Sequence, residues 1–226
     1  MRKTCAAVIV AAGSARRMQG IDKIMTPIGN VPMLLRTVQA LSGSERVDEI
    51  VIVTRADLVG QIKELCADEK KVRSVTVGGE TRAESVLCGL KEVRGELVAI
   101  HDGARPLVTT QVIDDAIQAA EKFGAAAPAI AVHDTIKVAA DGIVSCTPDR
   151  STLLAVQTPQ VFYTREITDA IQNAMKDCVT LTDDCSAAEA AGMQVYLTQG
   201  SEENLKITVP TDLILAEAIL KGRETQ

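Results

Sequence analysis

Residues 6–18 read AAVIVAAGSARRM: an apolar run breaks at a turn of small residues and ends in paired arginines. At Ala11, Ala12 and Gly13 almost no side chain stands between the backbone and a ligand, so a nucleotide can meet the amide N–H groups directly. Arg16, Arg17 and Lys23 then supply mobile positive charge. These features describe a phosphate site at a strand end; the plain alternative is a buried first strand followed by a solvated basic loop. The dinucleotide fingerprint G-x-G-x-x-G is not met, because Ser14, Ala15, Arg16 and Arg17 follow Gly13, with arginines where small residues would let a helix pack. A dinucleotide-dependent oxidoreductase would also need an acidic residue at the end of the second strand, where Thr54 and Arg55 stand.

The same start could be taken for a secretory signal, since Arg2 and Lys3 precede it. Its run is rich in Ala and Val without Leu, two arginines follow at once, and a strand–helix pattern continues without a break, all of which argue against a signal. No other window approaches the roughly 18 apolar residues of a membrane helix. The expectation is a soluble, cytoplasmic protein with no membrane partner. A net charge of −6 and the scarcity of aromatics (Phe123, Phe162, Tyr163, Tyr196) argue against a nucleic-acid partner. The six cysteines are scattered without a C-x-x-C pair, so most are expected to be buried free thiols; with only His101 and His133, a zinc site is not expected.

Outward from the first strand, strand and helix signals alternate. Strands are predicted at 6–12, 49–54, 73–77, 97–100, 126–131 and 194–197, mostly as continuous apolar runs. Apolar residues three or four apart predict helices at 32–41, 57–67, 82–93, 110–123, 165–175, 183–191 and 211–220. Such alternation makes a three-layer Rossmann-like α/β sandwich with a mostly parallel central sheet and right-handed crossovers. With 226 residues, 46% of them hydrophobic, one domain spanning 1–226 is expected. The stretch 132–162 departs from the rhythm: two β-rich segments flank Ala140, Asp141 and Gly142, a D-G hairpin signal. A projecting arm is expected there, its apolar residues covered by a second copy of the chain; the alternative is an edge hairpin folded onto its own sheet.

Polar residues gather at the predicted strand ends, where open α/β sheets bind ligands. Gly78 and Gly79 let a flat base lie against backbone, with Ser85 to offer a hydroxyl on the helix that follows. His101, Asp102, Gly103, Ala104 and Arg105 place a carboxylate and a guanidinium together; Asp102 suits a cation and Arg105 a phosphate, or the two form a local salt bridge. Asp134, Thr135 and Lys137, then Asp149 and Arg150, Thr182 and Asp183, and Asn204 and Lys206 stand at element boundaries, where Thr182 could simply cap a helix.

Taken in order, AAGSARRM, GGETRAESV, HDGARP, DTIK, Asp149-Arg150, QTPQVF, LTDDCSA and ENLKIT resemble the 2-C-methyl-D-erythritol 4-phosphate cytidylyltransferase family over nearly the whole chain. Cytidylyltransferases acting on ribitol 5-phosphate share the scaffold and several motifs. The resemblance implies transfer of a cytidylyl group from CTP to a phosphorylated polyol, releasing pyrophosphate. It implies that Ala11, Ala12, Gly13, Gly78, Gly79, Glu80, Ser85 and Gly103 hold CTP. Arg17 and Lys23 would stabilise its phosphates, and Lys206 would sit beside the reacting centre. Asp102, Arg105, Thr135, Arg150 and Thr182 would position the acceptor, with Thr135 and the catalytic cation Arg150 reaching over from the partner's hairpin in a homodimer. Mg²⁺ is the implied cofactor, held mainly by the CTP phosphates, with Asp102 as its candidate protein ligand. The chain departs from the family pattern at Ala15, where glycine is usual, and at Ile24, Met25 and Thr26, where Gln, an aromatic and Leu are common. A nucleotide-sensing protein without catalysis would keep the glycine turns but should lack Arg17, Lys23 and Lys206.

Overall fold

The computed structural model describes residues 2–13 and 23–224. Its first elements are β1 (Cys5–Val10), the two-residue strands β2 (Pro27–Ile28) and β3 (Val31–Pro32), α1 (Met33–Ser42), β4 (Glu49–Thr54), α2 (Val59–Leu65) and β5 (Val72–Val77). There follow α3 (Arg82–Leu90), β6 (Leu97–Asp102), α4 (Thr110–Phe123), β7 (Ala125–Ala131), β8 (Val138–Ala140), β9 (Ile143–Cys146) and β10 (Leu154–Val156). The chain continues through β11 (Gln160–Tyr163), α5 (Thr164–Lys176), α6 (Asp184–Ala190), β12 (Tyr196–Gln199) and α7 (Pro210–Glu224).

Alternation along β1 explains the three layers, because successive side chains of a strand point to opposite faces. Cys5, Ala7 and Ile9 pack with α1, α2 and α4 on one face, through Leu34, Val38, Ile62, Ile113 and Ile117. Val8 joins the other face, where Val86 and Leu90 of α3, Ile167 and Ile171 of α5, and Ala187 of α6 cover the sheet. With both faces buried, neither can be polar, so the inner strands read as unbroken apolar runs.

The main sheet is ordered β10-β7-β11-β6-β1-β4-β5, with β12 also paired to β7. β6, β1, β4 and β5 are mutually parallel, and β12 is parallel to β7. β11 runs antiparallel between β6 and β7, and β10 runs antiparallel to β7. This mostly parallel sheet is the predicted one, with two reversed strands that the apolar pattern did not separate from the arm. Residues 132–162 accordingly divide: β8 and β9 pair only with each other, while β10 and β11 return to the main sheet. Asp141 (φ 50°) and Gly142 (φ 78°) turn the hairpin with two left-handed residues in succession, as the D-G signal requires.

Several boundaries move for local reasons. α6 begins after Asp183, whose carboxylate accepts from the Ser186 N–H, so Asp183 rather than Thr182 is the cap. α7 begins at Pro210, a residue suited to a first helical position, and Asp212 accepts from the N–H groups of Thr208 and Val209 ahead of it. Cys5, Cys66 and Cys185 are buried, but Cys88 is half-buried and Cys146 and Cys178 are exposed, so half of the thiols rather than most lie in the core. Among the described residues no helix is long and apolar enough to cross a membrane.

Candidate active site

Three loops leave the C-terminal ends of β1, β5 and β6 side by side, tied by backbone hydrogen bonds. The Ala11 N–H donates to Val53 O (2.7 Å), the Gly78 N–H to Thr54 O (2.8 Å) and the Gly103 N–H to Val10 O (2.9 Å). The loops lie close enough to demand small residues. A Cβ at Gly78 would stand 2.7 Å from both Ala12 Cβ and Ser85 Oγ, and one at Gly103 would stand 3.0 Å from Ala11 Cβ. Thr81 and Glu84 form a capping box that starts α3 beneath this floor. The Ser85 hydroxyl donates to Thr81 O (2.9 Å) and accepts from the Gly79 N–H (3.2 Å), which fixes the glycine turn to the helix.

A cavity of about 490 Å³ opens here, lined by Ala11, Ala12, Gly13, Lys23, Gly79, Glu80, Ser85, Asp102 and Lys206 among others. Gly78 and Gly103 back its wall. Asp102, 8% exposed, is the charged centre: its Oδ2 accepts from Lys206 Nζ at 2.7 Å, and Arg82 and Arg105 approach at 3.7 and 3.9 Å. Burial works to raise the Asp102 pKa, but Lys206 first, then Arg82 and Arg105, outweigh it and hold the carboxyl below its ordinary value. Burial pulls the Arg105 guanidinium below its usual range, with Asp102 opposing. Lys23 Nζ donates to Ile207 O at 3.0 Å, so its ammonium lies across the cavity's rim beside the Lys206 segment.

Arg82 is the residue that the sequence left unassigned. Both its terminal nitrogens donate to Asp184, each at 2.7 Å, and it borders this cavity and a neighbouring one of about 340 Å³. Burial opposes its charge, yet Asp184 and then Asp102 drive its pKa above the usual value, while burial raises the Asp184 carboxyl against the pull of Arg82. Thr182 lines the neighbouring cavity, not the main one. Thr135 and Arg150 are exposed on the arm, apart from both; the Arg150 guanidinium donates to His133 O at 2.5 Å. Arg17, with Ser14, Ala15 and Arg16, lies outside the described residues.

Behind the cavity stands a buried polar bracket that spacing alone could not reveal. The Thr158 hydroxyl accepts from the Asp102 N–H (3.1 Å), so its proton points to His101 Nδ1 (3.0 Å), and His101 Nε2 then donates to Arg105 O (3.1 Å). Burial pushes the His101 pKa down to about 4, which keeps the ring neutral. Gln160 accepts from the Asp184 and Cys185 N–H groups and donates to Asp183, seating α6 against β11. The QTPQ motif was visible in the sequence; which groups it joins was not.

Among the described residues no three His, Cys, Asp or Glu side chains cluster as a metal cage. Glu80 and Asp102 are the acidic side chains on the main cavity, which is few for an all-protein cation site. They suit a cation that brings its other oxygens on a phosphate.

A mostly parallel α/β sheet with small-residue loops at the C-terminal ends of β1, β5 and β6, and one lysine against a buried carboxylate with a second lysine on the same cavity, defines an enzyme site for phosphorylated nucleotides. Comparison with known proteins resolves the family. Residues 5–222 match the model of IspD, 2-C-methyl-D-erythritol 4-phosphate cytidylyltransferase, and the chain belongs to that family. The Clostridium novyi protein of that name is 41% identical over 231 residues, covering 100% of both chains. The Symbiobacterium thermophilum protein of that name is 44% identical, covering 97% of this chain and 94% of its own. Among solved structures, 4-diphosphocytidyl-2C-methyl-D-erythritol synthase from Anaerococcus prevotii superposes with a TM-score of 0.86 at 31% identity, covering 98% of this chain and 100% of its own. The Thermus thermophilus 2-C-methyl-D-erythritol 4-phosphate cytidylyltransferase gives a TM-score of 0.81 at 28% identity, covering 95% and 98%.

Proposed function

We propose that this chain transfers a cytidylyl group from CTP to 2-C-methyl-D-erythritol 4-phosphate, giving the 4-CDP-alcohol and pyrophosphate for non-mevalonate isoprenoid synthesis in the cytoplasm. The observation that carries the reading is the Lys206–Asp102 contact of 2.7 Å at a glycine-floored cavity bordered by Lys23. The acceptor's phosphate is already an anionic nucleophile, so no strong general base is needed. Its oxygen bonds to the α-phosphorus, the bond from that phosphorus to the bridging oxygen breaks, and pyrophosphate leaves with the electron pair. Repulsion between the two anions opposes the approach. Lys23 and Lys206, with Arg17, offset it and stabilise charge at the α-phosphorus, while Asp102 keeps the Lys206 ammonium aimed.

Gly78, Gly79 and Ser85 present backbone and one hydroxyl to a base too small to be a purine, and Ala11, Ala12, Gly13, Glu80 and Gly103 complete the nucleotide wall. Mg²⁺ suits this donor set: Asp102, the carboxylate against Lys206, would be its protein ligand beside the triphosphate, and the ion would supply further charge neutralisation at the phosphates. Asp102, Arg105 and Thr182 stand on the acceptor's side. Thr135 and Arg150 complete it from a second copy's arm in a homodimer; exposed Ile143 (74%), Val138 and Val144 on that arm support such a cover. Pyrophosphate release from CTP, with methylerythritol 4-phosphate and ribitol 5-phosphate as competing acceptors, tests the assignment. Preference for methylerythritol 4-phosphate is expected; preference for ribitol 5-phosphate makes this a polyol cytidylyltransferase of the other kind, and binding of CTP without release with either makes it a sensor.

A further inference from the structure

Asp102 ends a sheet strand, whereas Lys206 lies in the irregular segment between β12 and α7, yet their charges meet at 2.7 Å. Their contact cannot by itself fix the two backbones, because the Lys206 side chain is 48% exposed and such pairs contribute ~1 kcal/mol or less. The fixing falls to buried amides and a hydroxyl. Thr158 (4% exposed) joins both sides: its Oγ1 takes the Asp102 N–H at 3.1 Å, and its carbonyl takes Asn204 Nδ2 at 2.9 Å. Asn204 is fully buried two residues before Lys206. Its side-chain amide also donates to Gln157 Oε1 (3.1 Å), and its backbone carbonyl accepts from Arg105 at 2.5 Å. Gln157 holds the start of the same segment, donating to Ser201 O at 2.8 Å. Neither Thr158 nor Asn204 nor Gln157 lines the cavity.

We propose that Thr158 and Asn204 are positioning residues for cytidylyl transfer: from behind the cavity, touching no substrate, they set where Asp102 and Lys206 stand relative to each other. The inference rests on Lys206 acting at the reaction centre. Thr158→Val keeps the side-chain volume and strips the hydroxyl from the Asp102 N–H and from His101. Misplacing a reacting group by a fraction of an ångström is expected to lower kcat by about 10- to 100-fold, with the KM for CTP held within about twofold. Thr158→Ser, which restores the hydroxyl, returns kcat to near wild type. Thr168→Val provides the baseline, since Thr168 loses a comparable hydroxyl bond, to Thr164 O at 2.6 Å within α5, and its kcat is expected to stay unchanged.

Equal kcat in the two valine variants overturns the proposal. So does a Thr158→Val enzyme whose kcat and CTP affinity fall together and which serine does not rescue, for that is general damage. If Thr158→Val does not fold, Gln157→Met, which leaves Thr158 in place and removes an acceptor from Asn204, is read by the same split. Full activity in Lys206→Ala would instead sink the reading of the site on which the inference stands.

Discussion

His101 is expected to make this fold sensitive to mild acid. The ring is fully buried, Nδ1 accepts from the Thr158 hydroxyl and Nε2 donates to Arg105 O, so a second proton would displace the bond from Thr158 and place a charge where no water reaches it. Its pKa is pushed from 6.5 to about 4, first by burial, against smaller opposing contributions from the Arg105 carbonyl and Asp102. A folded-state pKa below the unfolded one means that the unfolded chain takes up the proton first. The stability that neutral His101 contributes is therefore complete above pH 6.5 and is lost as the pH falls from 6.5 towards 4. At 1.36 kcal/mol per unit this difference comes to about 3 kcal/mol. For a chain of this size that corresponds to a Tm drop of roughly 6–12 °C. Urea unfolding of the wild type and of His101→Asn at pH 7 and pH 4 isolates the effect, since every other titrating group is shared. The wild type should lose about 3 kcal/mol more than the variant on acidification. Parallel losses in the two proteins would refute the reasoning.

Asp184→Asn, which leaves Arg82 facing a neutral amide in place of its 2.7 Å partner, should cost about 3 kcal/mol by chemical denaturation. The double variant Arg82→Met with Asp184→Leu should recover most of that stability; an unshifted denaturation midpoint for Asp184→Asn would show that the pair does not hold α3 to α6. If the arm's Arg150 serves the neighbouring subunit, equal mixing of Arg150→Ala and Lys206→Ala chains rebuilds one intact site per heterodimer, about a quarter of wild-type activity after full exchange. Proven exchange with no recovery places the acceptor pocket within one chain.

What could be read ahead of the structure follows a physical pattern. β1, β4 and β6 announce themselves because burial on both faces leaves no polar residue to interrupt them. α4 was legible to the residue, for Thr109 caps it and Gly124, at φ 94°, ends it. β11 was not: four residues of QVFY carry no period long enough to distinguish a strand of the main sheet from part of an arm. The cavity's glycines were legible because small residues at strand ends leave room for a ligand; Lys206, in the irregular segment beyond β12, was marked only by the family resemblance. Arg82 was not, since a guanidinium at the head of a helix has many partners within reach, and only the packing of α6 brings Asp184 to it. The bracket of Gln157, Thr158 and Asn204 depends on β11 and β12 pairing with opposite edges of β7, a property of topology that no local window contains.

The arm has a consequence for how such a protein can change. Leu154 pairs with Ala131, so to the sheet everything between them is one hairpin connection, whatever its length. Lengthening a flexible connection costs little, about 0.6 kcal/mol per doubling. The stretch between β7 and β10 can thus change in length and composition while the glycine-floored edge of the sheet stays still. If that arm serves the acceptor as proposed, acceptor choice can be altered there without touching the strands that make the fold.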